Sequence, residues 1–230
     1  MKRHGHLFER AFSPENLYAA YLDAARHKRG CHACYQFERR LGTQLADLHR
    51  TLHDGSYRPK TYNTFMVREP KPRLISAPAF RDRVVQHAIY RVIQPLFDAG
   101  FVAESFACRP GKGTHAAADH TQAALGAAPR DSYTLQLDIR RFYYRIDRAI
   151  LLALIERTIK DDRMVEAMML FMPEPVGVPI GNLLSQLYAL IYLNPLDHYI
   201  KRVLKVARYA RYVDDLVLIG LTRDQAIGHR

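Results

Sequence analysis

The sequence predicts an α+β fold, with antiparallel strands packed on helices, and three observations predict it. Apolar residues recur at helical spacing over long stretches near residues 14–53, 80–97 and 183–205. Between them stand short runs rich in β-branched and aromatic residues, around 64–67, 73–75, 133–139 and 210–220, set off by Pro, Gly and Asp. With 230 residues, 48% of them hydrophobic and 25% charged, the chain can bury a real core as one large domain or two interlocked ones.

The elements follow in order. Ser13-Pro14-Glu15 is a helix start, and the helical stretch behind it carries Leu17, Tyr18, Tyr21 and Leu22, then Phe37, Leu41, Leu45, Leu48 and Leu52. Asp54-Gly55 stops it. From Tyr57 to Ala77 prolines punctuate short segments, and Thr64–Val67 with Arg73–Ile75 predict a basic hairpin. Phe80–Phe97 returns to helical spacing through Val84, Val85, Ala88, Ile89, Val92, Ile93 and Leu96, with Arg81, Arg83 and Arg91 on what becomes a basic face. The glycine-rich Cys108–His115, CRPGKGTH, is not a Walker loop: Phe106 stands where the first glycine belongs, and Gly113 separates lysine from threonine. It reads as a turn into a helix from Thr114 to Leu125, with Arg109 and Lys112 available to a backbone phosphate. YTLQLDI, residues 133–139, alternates as a strand, and RRFYYRID leads from it into the helical AILLALIERTIK. MPEPVGVPIGN is a loop with three prolines and two glycines ahead of the helix from Leu183. ARYVDDLVLIG, residues 210–220, reads as a tight hairpin with Asp214 and Asp215 at or beside its turn.

Composition narrows the partners. Lys plus Arg number 34 against 23 Asp plus Glu, a formal charge of +11, so a polyanion, and nucleic acid first, is the expected partner. No apolar run approaches the roughly 20 residues of a membrane span. MKRHGHLFER lacks a following apolar block, which argues against a secretory signal and for the cytoplasm. Three cysteines cannot form a disulfide framework. Cys31 and Cys34 with His27 and His32 would suffice for zinc, but no second CxxC or HxxxH follows at finger spacing, and ordinary thiols in a helix are the expectation.

Asp138 at a strand end and Asp214-Asp215 at a hairpin tip carry the chemistry. One strand-terminal aspartate alone is usually a solvated turn residue. Carboxylates from strand ends of one sheet can converge, however, and a Mg²⁺ pair held there would clamp both oxygens of an in-line phosphoryl transfer, which is polymerase chemistry.

DIRRFYY from Asp138, PIGNLLSQ from Pro179 and RYVDDLVL from Arg211 occur in the order and approximate spacing of reverse transcriptases, whose YxDD box resembles Tyr212-Val213-Asp214-Asp215. Upstream, PKPRLISAPAFRDRVVQHAIYRVIQPLF and ESFACRPGKGTHAA resemble the fingers motifs of bacterial members, so the likeness covers about residues 57–220. Within the family the chain resembles the reverse transcriptases of diversity-generating retroelements of bacteria and phages. IGNLLSQ, Ile180 to Gln186, stands where most relatives carry glutamine before the glycine and proline after the serine, and PENLYAAYLDAARHKRG also looks like that group.

This resemblance implies a right-hand polymerase with an antiparallel palm sheet, copying a template RNA into error-prone cDNA from dNTPs to diversify a target gene. A retron-like or group II intron-like enzyme, or a truncated, catalytically silent RNA-binding remnant, are the alternatives. It implies Asp138, Asp214 and Asp215 as catalytic carboxylates for two Mg²⁺ ions, with Mn²⁺ as a substitute, and the main chain of Ile139 as a further metal contact. Lys71 and Arg73 would grip the triphosphate. Tyr143 would collide with a ribose 2′-hydroxyl, and Ile180 and Gly181 would meet the nascent base pair. Arg109, Lys112, Ser185 and Gln186 would bind template and primer. A small basic accessory protein is the implied partner, and no membrane is involved. The expected layout is a helical N-terminal extension over 1–56, fingers over 57–136 and a partial palm over 137–230, with a fingers insertion at about 150–176. Relatives continue past the YxDD hairpin into a thumb, so a chain stopping at LTRDQAIGHR is expected to lack it.

Overall fold

The computed structural model describes residues 3–69 and 71–229. Helices α1 (Leu7–Ala11), α2 (Pro14–Ala25), α3 (His32–Glu38) and α4 (Leu41–His53) precede strands β1 (Asn63–Val67) and β2 (Arg73–Ala77). Then come α5 (Phe80–Asp98), α6 (Thr114–Gly126), β3 (Tyr133–Asp138), a 3₁₀ turn at Phe142–Arg145, α7 (Arg148–Glu156) and α8 (Asp162–Met169). The last elements are α9 (Leu183–Arg202), β4 (Arg208–Tyr212), β5 (Asp215–Leu221) and α10 (Arg223–Gly228). This is the α+β arrangement the sequence predicts. No helix among the described residues is long and apolar enough to cross a membrane.

The chain divides into two compact units. One is formed by the chain up to Phe97 together with Tyr143–Tyr188, the other by Asp98–Phe142 and the chain from Ala189 on.

In the first unit the helical stretch 14–53 forms the three helices α2, α3 and α4. The break after α2 contains His27 at φ 59° and Gly30, and the second break is the Arg39-Arg40 step. Ser13 caps α2, its Oγ accepting from the Asn16 amide at 3.2 Å, and Pro14 takes the first helical position, where no N–H is needed. Asp161 caps α8 through the Met164 amide, and its other oxygen accepts from the Leu7 and Phe8 amides at 2.6 and 2.9 Å, tying α1 to α8. Leu17, Leu48, Val84, Ile89, Ile93 and Met168 are fully buried in this unit. The β1–β2 ladder pairs Asn63 with Ala77 through Val67 with Arg73, and every residue of β1 is exposed.

The second unit is built on a sheet of order β3-β5-β4, antiparallel throughout. Its register puts Leu137, Leu216 and Arg211 in one cross-strand row and Leu135, Leu218 and Tyr209 in another, on the same face. That face packs with Leu196 and Ile200 of α9 into an apolar core. The alternate rows, including Asp138-Asp215-Tyr212, lie on the opposite face. α6 lies along β4, with His120 Nε2 donating to the Tyr209 carbonyl at 3.0 Å.

Candidate active site

Asp138 ends β3 and Asp215 begins β5, and the two are direct register partners. Paired positions in an antiparallel ladder present side chains on one face about 5 Å apart at Cβ, and both residues are exposed. Tyr212 pairs with Asp215 across β4–β5, so the hairpin closes over two residues, Val213 and Asp214. The Ile139 amide donates to the Asp214 main-chain oxygen at 3.3 Å, which draws the end of β3 onto the turn. Asp138, Ile139, Asp214 and Asp215 are thereby gathered at one end of one sheet.

The turn is held from beneath. Val213 has φ 57°, a conformation costly for a β-branched side chain. Its carbonyl accepts from Arg211 Nη1 at 2.9 Å. Arg211 is fully buried and forks onto Asp197, Nε to Oδ1 at 2.7 Å and Nη2 to Oδ2 at 2.5 Å. Tyr209 donates to the same Asp197 Oδ1 at 2.7 Å, and Ser105 Oγ accepts from Arg211 Nη2 at 3.1 Å. Burial works against the Arg211 charge, but Asp197 more than offsets it, and the guanidinium pKa rises. Burial, then the Asp197 charge, raises the Tyr209 phenol far above its usual range. Sequence reading passes over this network. Its signal is a charged residue at an inward strand position and an aspartate inside an apolar helical run.

The donor set suits a hard cation. Mg²⁺ keeps several waters and takes one or two carboxylates plus substrate phosphates, and Asp138 with Asp215 supplies such a pair. Among the described residues no three His, Cys, Asp or Glu side chains form a ready cage.

The nucleotide-binding expectations fall in the first unit. The Ser76 amide of β2 donates to the Ile180 carbonyl at 2.7 Å, so the loop bearing Ile180 is stitched to the strand bearing Arg73. Gly181 has φ 109°, and a Cβ there would stand 2.9 Å from Ile75 Cγ2 and 3.3 Å from the Ser76 oxygen, so only glycine fits without movement. The same loop bonds to the segment bearing Tyr143: the Val178 amide donates to the Tyr143 carbonyl and the Gly177 amide to that of Ile146, both at 2.8 Å. Arg73, Tyr143, Ile180 and Gly181 are thus organised by one loop, and Lys71 and Arg73 are exposed on the hairpin.

Other expectations meet a different geometry. Arg109 turns inward, its Nε donating to Asp98 at 2.7 Å and Nη1 to the carbonyls of Val102 and Ser105, with its side chain 7% exposed. Its fork is taken up by the protein rather than offered to a phosphate. Lys112 donates to the Ala103 carbonyl and lies 4.8 Å from the centre of the Phe106 ring; burial, then neighbouring Arg109, lowers its pKa. Ser185 is buried and Gln186 exposed. Cys34 is a buried thiol whose Sγ lies 3.6 Å from Glu38 Oε1.

A family model described as reverse transcriptase (RNA-dependent DNA polymerase) matches residues 59–230. Among curated proteins the chain is 26% identical over 176 residues to Protein YkfC of Escherichia coli K12, covering 70% of this chain and 46% of that protein. It is 27% identical over 165 residues to the group II intron-encoded protein LtrA of Lactococcus lactis, covering 66% of this chain and 27% of LtrA. The chain therefore spans less than half the length of these relatives. Among solved structures, telomerase from Candida albicans superposes with a TM-score of 0.54 at 11% identity, covering 74% of this chain and 39% of that one. A partial Cas6-RT-Cas1–Cas2 complex superposes with a TM-score of 0.52 at 16% identity over 94% of this chain and 38% of that one. A match over three quarters of the sequence, on a sheet that opposes the two carboxylates, makes the chain a member of the reverse transcriptase (RNA-dependent DNA polymerase) family.

Proposed function

We propose that this chain carries the nucleotidyl-transfer site of an RNA-directed DNA polymerase that copies a template RNA into error-prone cDNA for targeted gene diversification. The observation that carries the reading is the register pairing of Asp138 with Asp215 beside a turn whose Asp214 oxygen is bonded by Ile139. Asp138, Asp214, Asp215 and the Ile139 main chain would hold two Mg²⁺ or Mn²⁺ ions, whose positive charge would stabilise the attacking and leaving oxygens of an in-line displacement.

The chain's own residues do the rest. Arg73 offers a planar fork and Lys71 a point charge to the triphosphate of a dNTP. The Tyr143 ring excludes a ribose 2′-hydroxyl. Ile180 packs on the new base pair without an amide's hydrogen bonds, which loosens the check on mispairs, most of all opposite adenine. Template RNA, primer and a small basic accessory protein are the macromolecular partners of this reading.

Primer extension with purified protein, an RNA template, a DNA primer, Mg²⁺ and dNTPs tests it. Extension that Asp214→Ala abolishes, with errors concentrated opposite template adenine, is expected. Extension that survives Asp214→Ala overturns the site. The 27% identity to LtrA favours a second reading, an intron-type enzyme, which predicts extension without the adenine bias.

A further inference from the structure

We infer that Arg211 is a positioning residue for the carboxylate turn, acting from the buried face of the sheet through the Val213 carbonyl. The inference deepens the proposed function and rests on its assignment of Asp214 and Asp215.

The cation lies on the opposite face of the sheet from Asp138 and Asp215, because Arg211 shares its row with Leu137 and Leu216. Its charge is matched by Asp197, and both side chains are 0% exposed. It therefore does not compete for the carboxylates on the other face. A buried ion pair is weak evidence for stability, since hydrophobic residues of similar volume serve as well or better. What distinguishes this pair is the bond that leaves it, from Arg211 Nη1 to the Val213 oxygen.

That bond lands where the backbone needs it. A β-branched residue at φ 57° persists only when its surroundings over-determine it. Arg211 is itself fixed at every level. Its amide donates to the Glu104 oxygen at 2.9 Å, its carbonyl accepts from the Phe106 amide at 3.0 Å, and Ser105, Asp197 and Tyr209 set the plane of its guanidinium. A rigid fork can hold Asp197 with one edge and the Val213 carbonyl with another nitrogen. A lysine, with its donors on one atom, cannot span both. Without the clamp Val213 relaxes toward negative φ, and the direction of Asp214 changes with it.

Two variants test this. Arg211→Lys removes the fork. The triple variant Tyr209→Phe, Asp197→Leu, Arg211→Met replaces the whole network with apolar volume, which keeps the core packed and leaves the Val213 oxygen without its donor. Two readouts apply: backbone order parameters from nuclear magnetic resonance, and Mn²⁺ affinity from electron paramagnetic resonance.

In both variants the Val213 and Asp214 amides are expected to fall from the rigid value of about 0.85 to below about 0.6, while Leu216 and Leu218 stay rigid. Mn²⁺ affinity is expected to fall at least tenfold. A folded triple variant that keeps turn order and Mn²⁺ affinity would make the network merely structural and overturn the inference. Parent protein whose Mn²⁺ binding ignores Asp214→Ala would instead overturn the carboxylate assignment, and the order parameters would still decide the role of Arg211.

Discussion

Gly181 and Ile75 approach so closely that a methyl group on the glycine would lie 2.9 Å from Ile75 Cγ2, inside any normal contact. The two residues join the Ile180 loop to the hairpin that carries Arg73. Gly181→Ala is expected to destabilise the chain by about 1–3 kcal/mol, from the clash and from an L-residue at positive φ. Urea unfolding reads the loss. Adding Ile75→Ala should recover only the part due to Ile75 Cγ2, leaving the Ser76 oxygen contact and the positive φ, and a full recovery would show that both are immaterial.

Tyr143 predicts sugar selectivity. Tyr143→Ala should raise incorporation of ribonucleotides relative to deoxyribonucleotides by about tenfold or more, which corresponds to about 1.4 kcal/mol of lost discrimination. Competition between GTP and dGTP in single-nucleotide extension measures it. An unchanged ratio would assign the ring to packing.

Ile180 predicts fidelity. If Ile180 meets the nascent pair as proposed, Ile180→Gln places an amide beside it, and a net hydrogen bond of about 0.5–1.5 kcal/mol implies misincorporation opposite adenine lower by about two- to tenfold. Sequencing of cDNA products gives the answer, and equal error rates would remove Ile180 from the account of infidelity.

Cys34 predicts alkaline behaviour. Burial, then the Glu38 charge, pushes its thiol from 9.0 up to about 11. The folded state therefore keeps this proton where the unfolded state loses it. The resulting stability is complete below about pH 9 and declines as pH rises toward 11. Melting temperatures across that window should fall less steeply in Cys34→Ala than in the parent. Iodoacetamide at pH 8 should modify Cys34 at least about tenfold more slowly in folded than in urea-unfolded protein; equal rates would contradict the burial.

Much of this was legible in the sequence, because period and punctuation are local. The hairpin at Thr64–Val67 and Arg73–Ile75 appears as β1 and β2 with one or two residues added, and Tyr133–Asp138 forms the expected strand. Asp214 and Asp215 stand at a two-residue turn, as the double aspartate between apolar runs implied. What was not legible depends on side-chain partners that neither helical nor strand periodicity encodes. Arg109 reads as a surface cation beside glycines, yet Asp98 and two carbonyls claim its fork. Arg211 appears in the sequence only as the residue ahead of the YxDD box, and the register sets it in the buried row of Leu137 and Leu216. Nothing local couples Arg211 to Asp197, because the pairing is made by a helix returning beneath the sheet.

The register that opposes Asp138 to Asp215 also governs when the carboxylate pair comes into being. β4 and β5 are neighbours in sequence and can zip as a hairpin, whereas β3, at 133–138, must find a partner strand at 215–221. Closing so long a loop is entropically slow compared with hairpin formation. During synthesis β3 emerges long before the strand it needs and waits with its central edge open. The carboxylate pair is thus a late event of folding, assembled only when the β4–β5 hairpin docks on β3 through the free edge of the strand bearing Asp215. A newly made chain therefore holds its apolar helices and hairpins before it holds any paired acidic site.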